Sequence, residues 1–476
     1  MRREHVLASA AAHYDQGRFF QALARRVAVP TESQTAEGQP LLQTYLAEHI
    51  VPELQALGFA CRMLDNPVAG GGPFLLATRR EPGAGFGVLS YGHADVVRGQ
   101  AAQWRQGRGP WQLHIDGDRW YGRGSADNKG QHTINLAALA QVLEARGGRL
   151  GYDVTLLMES GEEVGSPGLR EFCELHREAL AADLFIASDG PRVAASRPTV
   201  FLGSRGFFNF RLDVRLRPGG HHSGNWGGLL RNAGTRLAHA LASLVDGRGR
   251  VQVRGLLPDA LPANVRRALA AIEVGGGPAD PAIDPDWGEP GLTPTERVYG
   301  WNTLEVLAFK TGNPDAPVGA IPGEAFALCQ IRFVVGTDSA RFIEHLRAHL
   351  DAHGFDDVQV QPDGEAMAAT RLDPDDPWVH WALASIERST GRAPALLPNF
   401  GGSLPNDVFA EGLGLPTLWV PHSYPACSQH APDEHLLGSV AREGLQIMAG
   451  LFWDLAEQGA EVVARRRPLP SEAPAP

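Results

Sequence analysis

Cysteine is scarce: Cys61, Cys173, Cys329 and Cys427 stand singly among 476 residues, with no CxxC pair. That excludes a disulfide framework and a thiolate-built structural zinc site, and it fits a reducing, cytoplasmic setting. Cys427 lies three residues before His430 and is a conceivable ligand, although a small buried thiol is the commoner use. Basic residues are not in excess either. Lys plus Arg number 43 against 54 Asp plus Glu, giving a net charge of −11 and a pI near 5.9. With no basic arm or block of like charge, a surface that tracks phosphates is excluded and no nucleic-acid partner is expected. No apolar stretch reaches the ~18 residues of a membrane span. The first residues lack the continuous apolar run of an export signal. Internal repeats and low-complexity tracts are absent too.

What is present is enough apolar material, 43% of the chain, to bury more than one core. The first part alternates short apolar strands (74–78, 86–91, 154–159, 184–188) with helix-like stretches at 40–57 and 130–144. Strand, helix, strand implies an α/β domain with a mainly parallel sheet, whose ligands gather at the carboxyl ends of the strands. From about residue 199 the texture shifts. Phe207-Phe-Asn-Phe-Arg-Leu-Asp-Val-Arg-Leu216 alternates apolar and polar positions like a strand with one wet face. Helices at 229–245 and 339–353 and strands at 303–309 and 325–335 complete an expected α+β two-layer sandwich. It is interrupted by a Pro/Gly-rich excursion over 257–300, read as surface loops with a short helix near 264–272. The α/β texture returns with a helix at 378–390 and an apolar run at 415–420. The expected organisation is therefore 1–198 and 366–476 as one catalytic domain, with 199–365 inserted. The proline-rich end from Arg465 is expected to fray.

Chemistry-bearing residues cluster beside turns. In Tyr91-Gly-His-Ala-Asp-Val-Val97, His93 and Asp95 share one face of a strand end and can meet one object, most simply a metal ion. Further along come Gly122-Arg-Gly-Ser-Ala-Asp-Asn-Lys-Gly130, Glu159-Ser-Gly-Glu-Glu-Val-Gly165, Ser188-Asp-Gly190 and His430-Ala-Pro-Asp-Glu434. Carboxylates and separated histidines suit a catalytic metal site better than a closed structural one, with two ions if a carboxylate bridges. Glu162 and Glu163, as neighbours on extended backbone, would point to opposite sides, one free to coordinate and the other to move a proton.

These motifs, in this order, resemble the dinuclear metallopeptidase family that includes carnosinase, acetylornithine deacetylase, succinyl-diaminopimelate desuccinylase, aminoacylase and carboxypeptidase G. The resemblance implies His93 and Asp189 as ligands of one ion, Glu163 and His430 as ligands of the other, and Asp127 as the bridge, with a cis peptide between Asp127 and Asn128. It makes Glu162 the general base and Asp95 the residue that orients His93. It also makes the inserted domain a lid and dimerisation domain. There His222, in His221-His-Ser-Gly, would stabilise an oxyanion from its own or a partner subunit. Gly401-Gly-Ser-Leu-Pro-Asn-Asp407 resembles the glycine-serine loop of carnosinase-like dipeptidases. Its Ser403 and backbone around Gly402, with Arg332, would hold a substrate carboxylate. An exposed loop histidine, a plain turn and an arginine on a wet strand face are the respective alternatives. Gly319 replaces a polar residue that relatives place near substrate, and Asp433 stands where Asn is common. His114, His132, His422 and His435 have no motif support and are read as structural.

The expected protein is a cytoplasmic homodimer that uses two divalent ions to cleave the amide of a dipeptide or similar small substrate with a free carboxylate. The attacking hydroxide would bridge the ions and be generated by Glu162. Zinc is the expected metal, with manganese or cobalt compatible with the same ligands. An N-acyl amino acid deacylase is the alternative, and a non-catalytic binding relative a more distant one.

Overall fold

The computed structural model describes residues 2–275 and 281–466. The expected frayed end beyond Arg466 and part of the excursion lie outside them. The chain divides into two compact units: residues 1–202, 372–397 and 408–476 form the first, and 203–371 with 398–407 the second. The inserted region thus begins and ends a few residues later than the texture of the sequence implied. The short segment 398–407, expected with the catalytic domain, groups with the insert because Asn399 Nδ2 donates to Thr370 O and Arg205 Nε to Gly401 O.

The first unit is built on an eight-stranded mixed sheet in the order Ala60–Leu64, Phe74–Arg79, Asp153–Glu159, Gly87–His93, Leu184–Ala187, Thr417–Trp419, Thr199–Phe201, Ala395–Leu397. Its centre is parallel: Gly87–His93 pairs with Asp153–Glu159 from Gly87↔Asp153 to His93↔Glu159, and with Leu184–Ala187 on its other side. Antiparallel pairing is confined to the edge strands Ala60–Leu64 and Phe74–Arg79 and to one contact, Trp419↔Phe201. The helix Lys129–Ala145 packs on this sheet and is buried on nearly every side, so its sequence carries no amphipathic stripe. The 29-residue helix Gly438–Arg466 packs beside it, together with Arg3–Asp15 and Pro377–Thr390. The stretch 40–57, read as one helix, is three pieces: Gln39–Tyr45, a π turn Leu46–Ile50, and Val51–Ala56. The interruption coincides with Pro52, which lacks an N–H to donate.

The second unit is an α+β two-layer sandwich with its own core. Its antiparallel sheet runs Thr303–Thr311, Glu324–Phe333, Gly206–Arg215, Val358–Met367. Along Glu324–Phe333 every second residue from Ala325 is buried under the helices Ala233–Leu244 and Phe342–Ala352, and the alternate face is wet. The excursion contributes two short helices, Ala263–Leu269 and Pro294–Tyr299, the latter closed by a Thr293/Glu296 capping box.

Candidate metal centre

The first unit delivers its polar motifs to the carboxyl ends of its central parallel strands. His93 ends the strand Gly87–His93, Glu162 and Glu163 follow Asp153–Glu159, and Asp189 follows Leu184–Ala187. Asp127 precedes the helix Lys129–Ala145, where the chain turns so tightly that a Cβ on Gly130 would lie 1.9 Å from Ser125 O. The Asp127–Asn128 peptide is cis. His430 is held in a loop just before the strand His435–Leu437, at a φ of 62°.

These residues converge on Asp127. Its Oδ1 lies 3.0 Å from His93 Nε2 and its Oδ2 3.0 Å from His430 Nε2. Each carboxylate oxygen therefore faces a different imidazole. Glu163 Oε2 is 3.1 Å from His430 Nε2, and Asp189 Oδ2 is 3.6 Å from His93 Nε2. One donor atom each from His93, Asp127 and Glu163 lie within 4.8 Å of one another. His93 and Asp189 thus occupy one side of Asp127, and Glu163 and His430 the other.

Asp95 does more than face His93. Its Oδ1 is 3.3 Å from His93 Nδ1, and its two carboxylate oxygens accept the amides of Glu162, at 3.2 Å, and Glu163, at 3.1 Å. His93 Nδ1 also meets the main-chain carbonyl of Asp95 at 3.0 Å, so this one residue ties the imidazole to the acidic turn. That turn departs from the extended backbone expected for Glu162 and Glu163: residues Glu162–Val164 form a single 3-10 turn. Successive residues of such a turn still diverge by about a third of a revolution, so the two carboxylates separate for a different reason.

The electrostatics are those of crowded acids. Burial, and then the charge of Asp127, pushes both Glu163 and Asp189 up to about 7. Burial also raises Glu162 well above the carboxylate range, with Asp189, Glu163 and Asp127 adding to it against His93. Burial would raise Asp127 too, but hydrogen bonds from His430 and His93 outweigh it and hold this carboxyl far down. Hydrogen bonds to Asp127 and Glu163 lift His430 to about 11. Asp189 Oδ2 is buried without a hydrogen-bond partner, which is costly unless something else satisfies it. A thiol-free set of carboxylates and imidazoles with an orphaned inward oxygen fits divalent cations.

Supporting residues that sequence reasoning missed surround this set. Glu434 is buried; its Oε1 accepts the amides of Ala126, at 3.0 Å, and Asp127, at 3.1 Å, while its Oε2 takes Arg123 Nη1 at 2.6 Å. It links the turn that carries Asp127 to the loop that carries His430. Gln429 Nε2 donates to Asp127 Oδ2. Behind the site Glu159 accepts from Tyr91 Oη at 2.6 Å and from Ser166 Oγ at 3.0 Å, while burial pushes it up to about 7. Gln429 and Glu434 were marked only by their closeness to His430, and Tyr91 and Glu159 only by opening two of the motifs; nothing in the sequence pairs them with the groups they hold.

The remaining histidines divide. His132 lies 2.7 Å from the Tyr45 hydroxyl, and burial pushes it well below its ordinary range. His435 meets Tyr424 and His114 is exposed on an edge strand, whereas His422 is buried with both ring nitrogens unpartnered. His222, Arg332, Gly402 and Ser403 belong to the second unit. His222 is exposed, and its Nδ1 accepts the amide of Gly224 at 3.1 Å. Arg332 Nη1 donates to Ser403 Oγ at 2.8 Å, so that expected pair does meet. A Cβ at Gly319 would meet Ser223 Oγ at 3.8 Å, an ordinary contact.

Among proteins of known sequence, a cysteinylglycine-S-conjugate dipeptidase from Corynebacterium striatum is 31% identical over 272 residues, 55% of this chain and 58% of that protein. A Beta-Ala-His dipeptidase from Homo sapiens is 30% identical over 252 residues, 52% of this chain and 46% of that protein. The chain thus spans about half the length of these curated relatives. Among solved structures, an M20 family metallo-carboxypeptidase from Sulfolobus solfataricus superposes with a TM-score of 0.74 at 24% identity, covering 92% of this chain and 99% of that one; this likeness is one of fold. The sequence pattern of peptidase family M20/M25/M40 matches residues 89–454, which span every motif gathered around Asp127, and the chain belongs to that family.

Proposed function

We propose that the protein is a metal-dependent hydrolase that cleaves the amide bond of a dipeptide or similar small substrate bearing a free carboxylate. The observation that carries this reading is the Asp127 carboxylate, with one oxygen 3.0 Å from His93 and the other 3.0 Å from His430. His93 and Asp189 would hold one divalent ion, Glu163 and His430 a second, and Asp127 both. Once bound, the ions would supply Lewis-acid polarisation of the scissile carbonyl and lower the pKa of attacking water. Zinc is the ion this donor set suits best.

Glu162 is the proton carrier. Its surroundings raise its proton affinity, so its carboxylate can take a proton from water and deliver it to the departing amine nitrogen. Asp95 fixes both the turn that aims Glu162 and the ring of His93. In the second unit Arg332 and Ser403 would bind the substrate carboxylate, and His222 would donate to the oxyanion. The names of the relatives, both dipeptidases, support a peptide substrate. A homodimer is supported by the edge strand Thr303–Thr311, which exposes Val306, Leu307 and Phe309. Four free cysteines support a reducing compartment.

Glu162→Gln tests the assignment: turnover of dipeptides should fall by roughly a thousandfold with metal content unchanged. Near-normal turnover would remove Glu162 from the role. A wild type that hydrolyses acyl amino acids and no dipeptide would move the reaction to deacylation at the same centre.

A further inference from the structure

Within the second unit a chain of hydrogen bonds organises two arginines around Ser403. Asn209 Oδ1 accepts from Gln330 Nε2 at 2.9 Å, and Gln330 Oε1 accepts from Arg332 Nε at 2.8 Å. Arg332 Nη1 then reaches Ser403 Oγ at 2.8 Å, and Ser403 donates to the carbonyl of Arg205 at 3.0 Å. Arg205 in turn donates through Nε to Gly401 O at 3.1 Å, which fixes its guanidinium plane. Both terminal nitrogens of Arg205 and one of Arg332 are left with no partner among the described residues.

Neither guanidinium has an acid at ion-pair distance among the described residues. Glu305, on the edge strand Thr303–Thr311, attracts Arg205 but does not pair with it, and Arg332 repels it. Burial, followed by that repulsion, pushes Arg205 down to about 10. Two part-buried guanidinium groups close enough to repel, neither in an ion pair, leave donors that an anion would satisfy. Arg205 also lines a cleft of about 320 Å³ with Thr303, Glu305, Val298, Trp287 and Asp284. Arg297, at the same cleft, commits Nε and Nη1 to the carbonyls of Glu289, Pro285 and Trp287. The terminal nitrogens of Arg205 are the cleft donors next to Arg332.

We propose that Arg205 is a second anion contact beside Arg332, so that the protein selects a leaving residue with two carboxylates, as in dipeptides ending in aspartate or glutamate. This rests on the reading of Arg332 and Ser403 as the carboxylate subsite. The unpartnered terminal nitrogen of Arg332 would take the main-chain carboxylate, with Ser403 holding the guanidinium in place. Arg205, which lines the cleft, would take the side-chain carboxylate.

The test is calorimetric titration of the full-length protein with L-glutamate and L-glutamine, which differ only in that second charge. Wild type should bind glutamate at least tenfold more tightly, R205Q should bring the ratio close to one, and R205K should keep part of the preference. A wild-type ratio near one, no measurable glutamate binding, or a preference that survives in R205Q would overturn the proposal. The wild-type ratio decides even if R205Q does not fold. Because product binding is read directly, a failure of dipeptide hydrolysis would remove the proposed reaction and leave this comparison standing. Hydrolysis of Ala-Gln and Ala-Glu at equal kcat/KM would remove the selectivity and leave the reaction.

Discussion

Around Asp127 the protonation of individual side chains makes the stability of the metal-free chain depend on pH. Glu163 and Asp189 are pushed up to about 7. Between about pH 4, where such groups ordinarily titrate, and 7, the folded chain therefore binds more protons than the unfolded one. His430, lifted to about 11, has the same sign from about 6.5 upward. The contribution of these groups to stability falls as pH rises across this range, while His132 and His422, pushed well below their ordinary value by burial, and Lys129, pushed down to about 7, contribute with the opposite sign. In chelator, Asp189→Asn should therefore lose less melting temperature, or gain more, between pH 5.5 and pH 8 than wild type does, and added zinc should stabilise wild type more at pH 8, where its ligands are deprotonated. A pH dependence unchanged by Asp189→Asn would contradict the electrostatics described. Glu434 gives a second prediction at this scale. Removing one partner of a buried ion pair costs ~3–5 kcal/mol, and loosening a residue that orients ligands costs about 10- to 100-fold in metal affinity. Glu434→Gln should lower the melting temperature and weaken zinc, measured by chelator competition well below the melt. Wild-type affinity in this variant would make Glu434 merely structural.

The elements show how far the sequence could be read. His93, Asp127, Glu162, Glu163, Asp189 and His430 were legible because each sits in a short contiguous motif beside a turn, where residue type and spacing carry the signal. The clamp of Glu434 on Asp127 was not, since its partners are about 310 residues away and only the fold joins them. Strands such as Asp153–Glu159 and Glu324–Phe333 announced themselves by apolar runs or alternation. The helix Gly438–Arg466 did not: it is buried on several sides and carries glycines along its length, which blur its apolar stripe. One of these, Gly459, leaves room for the Phe86 ring, which a Cβ would approach to 2.3 Å. The edge strand Thr303–Thr311 exposes apolar residues on both faces, and such an edge invites pairing. Leu307→Lys should shift the protein from dimer to monomer in light scattering. A wild type that is already monomeric, or a variant that stays dimeric, would remove this seam.

At the scale of the whole molecule, two units with separate cores divide the labour. The first gathers the acids and imidazoles at the ends of its parallel strands, while the second carries Arg332, Ser403 and His222 on an antiparallel sandwich and its loops. The sequence texture anticipated a sandwich beside the α/β unit, because alternating and continuous apolar strands look different. It could not anticipate that 398–407 returns to the second unit, since that depends on hydrogen bonds to Thr370 and Arg205. No helix among the described residues is long and apolar enough to cross a membrane. Everything proposed for the chemistry depends on cations flanking Asp127. The most direct measurement is anomalous diffraction above the zinc edge from crystals of protein assayed as active. Two peaks are predicted, one between His93 and Asp189 and one between Glu163 and His430, with Asp127 touching both. Fully active crystals with no anomalous density beside Asp127 would contradict the account.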